Sequence, residues 1–334
     1  MKRMNKLVII TGGSGFIGIN LSLRLLDLGY KVINLDIKKP KNKSLNKYYI
    51  FCDITNLIDL KNIIKNYKPD YLVNLAARTD LKGKNIKEYE VNTVGTENIC
   101  ISSINTRNIK KVLFASTMLV CKVGHIPLNN QEYSADTIYG KSKVKAELIV
   151  KKYSDKLPAH FIFRPTSIWG PWFQKPYRDF FDLLLARRYF KIGKFSCTKT
   201  FGYVENAVNQ IISLMEYEKK IKIDTPIYIG DCVPINIDNW ADQISNIAGI
   251  RKPISIPFFF IKLGGFFGDF LNLFKINFPL NSFRVKNMTT NNIIPCSLMS
   301  QFNNYPKISV NDGIKSTLRW INNSYNSKTK NLNL

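Results

Sequence analysis

"KLVIITGGSGFIG", residues 6–18, decides the fold. The apolar run Leu7–Ile10 ends in a glycine-rich turn, and a helical apolar pattern begins directly after it. Gly12, Gly15 and Gly18 recur at every third position. The first lets the chain turn tightly, the second lets backbone approach a pyrophosphate, and the third lets helix pack on strand. Amide groups at the start of the helix then face the phosphates. A glycine triplet alone is a weak signal; strand, turn and helix in that order point to a dinucleotide. The basic start "MKRMNK" followed by apolar residues could mimic a secretion signal, but the apolar part is too short and reads as a first strand.

Outward from this turn, apolar runs recur at 31–36, 48–53, 71–76, 111–116 and 160–165, and again at 226–230. They are continuous rather than alternating, which marks strands covered on both faces, as in a parallel sheet. Helical patterns fill the gaps. Residues 17–28 place Leu21, Leu25 and Leu28 on one face and stop at Gly29; Thr55 reads as the N-cap of a helix through Tyr67, ended by Pro69. Residues 86–107 and 138–153 supply two more. This alternation predicts an α/β fold, a Rossmann-like doubly wound parallel sheet. After residue 166 the rhythm breaks into an aromatic, Pro-punctuated stretch. The expected division is therefore a cofactor domain at 1–165, with 200–231 returning to its sheet. A smaller mixed C-terminal substrate domain takes 166–199 and 232–334, with helices near 237–248 and 309–322 and a frayed polar end over the last ten residues.

Composition bounds the rest. The chain has 334 residues, 45% of them hydrophobic, and carries 49 Lys+Arg against 24 Asp+Glu, a net charge of +25. The positive charge is scattered and Lys-rich, as on solvated faces, so no nucleic-acid partner is expected. Six cysteines without a CxxC pair, Cys121 among them, read as packing thiols and point to a reducing, cytoplasmic setting. His125 and His160 lack metal-ligand spacing, so no metal is expected. "IPFFFIKLGGFFGDFLNLF" (256–274) is broken by Lys262, glycines and Asp269; a buried or substrate-covering helix is expected rather than a membrane span, with peripheral membrane contact as the minority reading.

Four further features suggest chemistry. Asp36 ends the second strand, where a carboxylate accepts bonds from both adenosine ribose hydroxyls and repels a 2′-phosphate, favouring NAD over NADP; Lys38 and Lys39 pull the other way. Asp53 ends the third strand and could meet the adenine edge or simply favour a helix start. "YGKSK" sets Tyr139 and Lys143 one helical turn apart. A free tyrosine has a pKa of about 10, and base chemistry near neutrality needs it some three units lower, about 4 kcal/mol. A cation about 4 Å away at an effective dielectric of about 20 supplies roughly that much, so Lys143, helped by an oxidised nicotinamide, is sufficient in principle. Upstream, "ASTMLVCK" (115–122) puts Ser116 and Thr117 at the end of a strand.

With "NLAAR" (74–78), "VNTVGTENI" (91–99), "FRPTSIWGP" (163–171) and "FGYVENAV" (201–208), these motifs make the chain resemble the extended short-chain dehydrogenase/reductases, and within them the NAD-dependent epimerase/dehydratase family. The resemblance covers residues 5–231 strongly and the remainder loosely. It implies Tyr139 as acid/base, Lys143 as the group lowering its pKa and holding the nicotinamide ribose, and Thr117 as the hydroxyl on the reacting oxygen. It implies NAD contacts at Gly12, Gly15, Phe16, Ile17, Gly18, Asp36, Asp53, Ile54, Leu75, Ala76, Ala77, Asn92, Tyr139, Lys143 and Pro165. It further implies substrate contacts at Arg78 and Thr166, a nucleotide-sugar substrate, a homodimer and a place in polysaccharide biosynthesis. Arg178, Arg187 and Arg188 read as a diphosphate clamp or as a solvated helix face.

The chain departs from the family after Thr117. Family 4,6-dehydratases carry an Asp-Glu pair there, whereas Met118 and Leu119 cannot move a proton. That disfavours dehydration and leaves an epimerase or reductase. No Arg-Pro-Gly-Asp segment of the UDP-galactose epimerase type is present, and 278–293 and 305–321 lean toward reductase-like and sterol-type dehydrogenases. Small-alcohol oxidoreduction and non-catalytic NAD sensing are the alternatives.

Overall fold

A computed structural model describes residues 5–175, 177–218, 225–274, 276, 281–302 and 305–330. Its strands are β1 (Leu7–Thr11), β2 (Lys31–Asp36), β3 (Tyr49–Phe51), β4 (Tyr71–Asn74), β5 (Lys111–Ala115), β6 (Ala159–Pro165), β7 (Ser167–Trp169), β8 (Thr198–Tyr203), β9 (Ile227–Ile229) and β10 (Pro234–Asn236). Its helices are α1 (Phe16–Asp27), α2 (Leu57–Tyr67), α3 (Glu90–Ile104), α4 (Ile138–Tyr153), α5 (Tyr177–Leu185), α6 (Val204–Glu216), α7 (Ile237–Ala248), α8 (Phe258–Leu273), α9 (Ser282–Thr289) and α10 (Val310–Lys330).

The apolar runs form one seven-stranded sheet, ordered β3-β2-β1-β4-β5-β6-β9, with every pairing parallel. Strand side chains alternate between its faces. Val8 and Ile10 join a core with Leu21 and Leu25 of α1 and Ile211 of α6. Ile9 joins the opposite core with Leu60 of α2, Ile99 of α3 and Val150 of α4. Both faces are covered, so the strands read as unbroken apolar runs. Strand order reverses between β1 and β4, and in open α/β sheets a ligand crevice lies at the carboxyl ends of such a pair.

A second, mixed sheet, β10-β8-β7, packs beside the first, with β7 parallel and β10 antiparallel to β8. The expected return to the main sheet is made by α6 and β9, whereas Thr200–Tyr203 belong to the small sheet. Trp169 of β7 ties the layers together, with ring centroids 5.0 Å from Tyr203, 5.9 Å from Phe181 and 5.1 Å from Trp240.

Three boundaries differ from expectation. Asn56, not Thr55, caps α2, accepting from the amides of Ile58 and Asp59; Thr55 is instead held by the Asp53 carboxylate through its amide (2.9 Å) and hydroxyl (2.8 Å). α3 begins at Glu90 after a 3-10 turn over Ile86–Tyr89, because the Asn85 side chain already caps that turn. α10 runs on to Lys330, into the end expected to fray, and residues 331–334 lie outside the described residues.

Candidate active site

The glycine turn packs against the start of β4's exit. Gly12 has φ +69°, and a Cβ there would come within 2.6 Å of the Ala76 amide nitrogen. A Cβ on Gly18 would lie 2.4 Å from the Gly12 carbonyl oxygen, so α1 approaches the loop only without a side chain. Gly15 is the N-cap of α1 and offers no side chain to the first-turn amides of Phe16, Ile17 and Gly18; no acidic residue occupies that turn. The Ser14 hydroxyl is buried without a hydrogen-bond partner. Open amides and an orphaned hydroxyl at a helix N-terminus fit an anionic pyrophosphate. Asp36 borders the loop, accepting from the Ser14 and Lys38 amides at 3.0 Å each. Burial raises its pKa, opposed by those amides.

The other expected cofactor residues divide. Leu75, Ala76 and Ala77 follow β4 and are half-buried beside the turn; Pro165 closes β6. Asp53 is exposed and engaged by Thr55. Ile54 lies in the core, where a Cβ on Gly95 would reach within 2.5 Å of its Cδ1. Asn92 is fully buried: its amide donates to the Arg78 carbonyl (3.0 Å) and to the Ser142 hydroxyl (2.9 Å), while its oxygen accepts from the Arg78 amide (2.9 Å). It therefore ties the segment after β4 to α4.

β5 and α4 bring the reactive side chains together. Thr137 caps α4 by accepting from the Gly140 amide (3.0 Å), which starts the helix one residue before Tyr139. Tyr139 and Lys143 then project from one face, both buried. The Thr117 hydroxyl accepts from the Leu119 amide at 3.2 Å and lies near enough to the Tyr139 phenol to favour its ionised form. Burial pushes the phenol up to about 12, with Thr117 pulling it back down. Burial likewise pushes Lys143 down to about 8. Its ammonium donates to the Ala115 carbonyl at 2.6 Å rather than lying against the phenol. With the protein's own groups alone, Lys143 therefore does not deliver the drop in phenol pKa expected from the sequence.

Beneath these residues lies a charged network that sequence reasoning missed. Glu147, one turn beyond Lys143, accepts from Arg164 of β6 through Nε (2.8 Å) and Nη2 (2.7 Å). It also accepts from the Ser116 and Tyr133 hydroxyls. Burial works against the Arg164 charge, but Glu147 outweighs it and raises the pKa. Ser116 is thus an anchor: its bond to Glu147 fixes the strand end that carries Thr117. The repeat of Tyr, Lys and Glu at every fourth position of α4 was the available signal.

Across from Tyr139, Met118 is buried, with Ser167 (4.0 Å) and Asn292 (3.6 Å) as weak donors to its sulfur. The Tyr177 hydroxyl donates to Ser167 at 3.2 Å. The proposed substrate residues are less open than expected. Arg78 is engaged by Asp80 (2.8 Å) and Glu88 (3.2 Å). Arg178 pairs with Asp182 (2.8 Å) and lies over the Trp320 ring. Arg187 is exposed, with φ +57°, where α5 ends. Thr166 is buried against Gly230, where a Cβ would come within 2.3 Å of its hydroxyl. Cys121 is buried as expected, and burial pushes Cys52 up to about 11 and Cys100 up to about 12, far from a reactive thiolate.

The chain is similar to known proteins. An undecaprenyl-diphosphate-N-acetylglucosamine 4-epimerase of Escherichia coli O157:H7 is 24% identical over 85% of this chain and 85% of its own. A 3-beta-hydroxysteroid dehydrogenase of Mycolicibacterium neoaurum is 25% identical over 74% of this chain and 71% of its own; a 4,6-dehydratase also stands among the relatives. The crystal structure of a UDP-glucuronic acid 4-epimerase from Bacillus cereus, with UDP-glucuronic acid and NAD, superposes with a TM-score of 0.74. It covers 96% of this chain and 100% of that one at 20% identity, a likeness of fold. The model of the NAD dependent epimerase/dehydratase family matches residues 8–230, from the first strand through β9, and the chain belongs to that family.

Proposed function

We propose that the protein is an NAD-dependent epimerase or reductase acting on a secondary alcohol of a diphosphate-linked sugar, through a ketone. The observation that carries this is the buried Tyr139 phenol, with Thr117 beside it and Lys143 one helical turn on. As a phenolate, Tyr139 takes the hydroxyl proton while Thr117 holds the same oxygen as it becomes carbonyl. Bound NAD supplies the acceptor for the departing hydride and, once reduced, the donor that returns it. Return to the opposite face, with Tyr139 giving its proton back, inverts the carbon; return to the same face restores it. Lys143 holds the ribose side of the site through a chain anchored at the Ala115 carbonyl. Elimination of water needs an acid on the leaving hydroxyl, and the thioether of Met118 cannot serve.

The relatives place either a nucleoside or a polyprenol on the far side of the sugar diphosphate. Incubation with a panel of UDP-, GDP- and dTDP-sugars and polyprenyl-diphosphate sugars tests the reading. Isomerised sugar without net change in reduced-cofactor absorbance means epimerase, and net NADH means dehydrogenase. No conversion of any member of the panel would overturn the reading.

Asp36 supports NAD over NADP. Asp36→Ser should weaken NAD by about 10–100-fold, the worth of a charged hydrogen bond, and improve NADP. Dissociation constants for both cofactors check this; unchanged NADP affinity would remove Asp36 as the selector.

A further inference from the structure

α8 presents an outward face made wholly of large apolar side chains. Phe259, Phe260, Leu263, Phe266, Phe267, Phe270 and Leu273 are 50–78% exposed. At 3.6 residues per turn they fall within an arc of about 140°. The opposite side, Ile261, Gly265 and Gly268, is buried, and a Cβ on Gly265 would meet Val285 of α9 at 2.9 Å. Asp269, the helix's carboxylate, is turned to α9, accepting from the Ser282 amide at 3.3 Å. Exposed Phe195 extends the patch by stacking on Phe258, centroids 4.5 Å apart. Seven such side chains at this exposure amount to roughly 700 Å², above the ~300–600 Å² of the largest patch on a typical monomer.

Charge selects the occupant. From 251 to 288 the sequence holds six Lys or Arg and one acid, within a chain of net charge +25. Lys262 on α8, Lys286 on the adjoining α9, Arg251 and Lys252 in the segment leading to α8, and Lys194 next to Phe195 are all exposed. A second copy docked face to face would oppose like charges, whereas an anionic lipid surface attracts them. Among the described residues no helix is long and apolar enough to cross a membrane, so the helix would lie on the surface. The platform reaches the active site directly. α9 leads into Asn292, which accepts from the Gly124 amide (3.3 Å) and touches the Met118 sulfur beside Thr117.

We propose that α8 seats the protein on an anionic phospholipid surface and sets the active site against a sugar diphosphate carried by a membrane lipid. The choice of substrate rests on the sugar reading above; the docking does not.

The full chain should co-sediment with vesicles containing phosphatidylglycerol, and much less with phosphatidylcholine alone or at high salt. The variant Phe266→Asp/Phe270→Asp should bind at least about tenfold more weakly, and Leu128→Ser, at an exposed site elsewhere, should bind as the parent does. Conversion of a vesicle-borne polyprenyl-diphosphate sugar should fall with the double variant, while any conversion of a soluble UDP-sugar should not. Equal sedimentation of parent and double variant would overturn the docking, as would a solution dimer that the double variant breaks. Vesicle binding with turnover of UDP-sugars alone would overturn the lipid substrate and leave the epimerase reading intact. Vesicle binding with no turnover of any sugar would overturn that reading instead.

Discussion

Replacing Tyr139 with Phe should lower turnover by about 10²–10⁴-fold, the usual worth of a positioned acid/base, while cofactor affinity changes little. The substitution removes one oxygen and keeps the ring, which packs 6.2 Å from Tyr89. Folding is therefore preserved, and the loss reports the proton transfer alone. A pH titration separates the roles further. Burial holds the phenol up at about 12, so it stays neutral near pH 7, while Lys143, brought down to about 8, is still largely protonated there. A positive charge brought beside them favours the phenolate. The phenolate, followed by ultraviolet absorbance against the Phe variant as blank, should form at lower pH with oxidised cofactor than without, and reduced cofactor should shift it less. Wild-type turnover in Tyr139→Phe would end the assignment.

The second large effect belongs to a residue that never meets substrate. Arg164 is fully buried and Glu147 nearly so. Removing one member of such a pair strands the other charge, at a cost of about 3–5 kcal/mol. Arg164→Met should lose that much stability in urea unfolding, whereas Glu147→Leu/Arg164→Met, with no charge left behind, should recover most of it. Equal losses in the single and double variants would show that packing, not charge, sets the cost. Because Ser116 is anchored on Glu147, the stable double variant should still lower kcat with KM little changed, since Thr117 then hangs from a looser strand end. Glu147 and Arg164 are positioning residues.

The main sheet was legible because its strands, the partly exposed edge strand β3 aside, answer to one local rule, burial on both faces. β2 and α4 begin and end where the pattern put them. The small sheet was not: β7 and β10 are three residues each, too short to show a period, and β8 runs straight into α6. At the site, Thr117, Tyr139 and Lys143 stood out because hydroxyl, phenol and amine carry their chemistry openly. Glu147 and Arg164 did not stand out, since a pairing across neighbouring elements shows in the sequence only as the repeat of Tyr139, Lys143 and Glu147 at every fourth position of α4. The burial of Thr166 was equally hidden, because it depends on Gly230, which arrives from a distant strand.

Trp169 has a final consequence, for motion. Its ring contacts and the single core running from Val8 through Phe201 to Ile321 join the two sheets without a seam. Close-packed interiors do not slide continuously. Rotation of one half against the other, as in hinge-closing enzymes, would pull Trp169 from between Tyr203 and Trp240. Entry and exit at this site therefore fall to loops, single side chains and elements outside this core, rather than to a hinge between the two sheets.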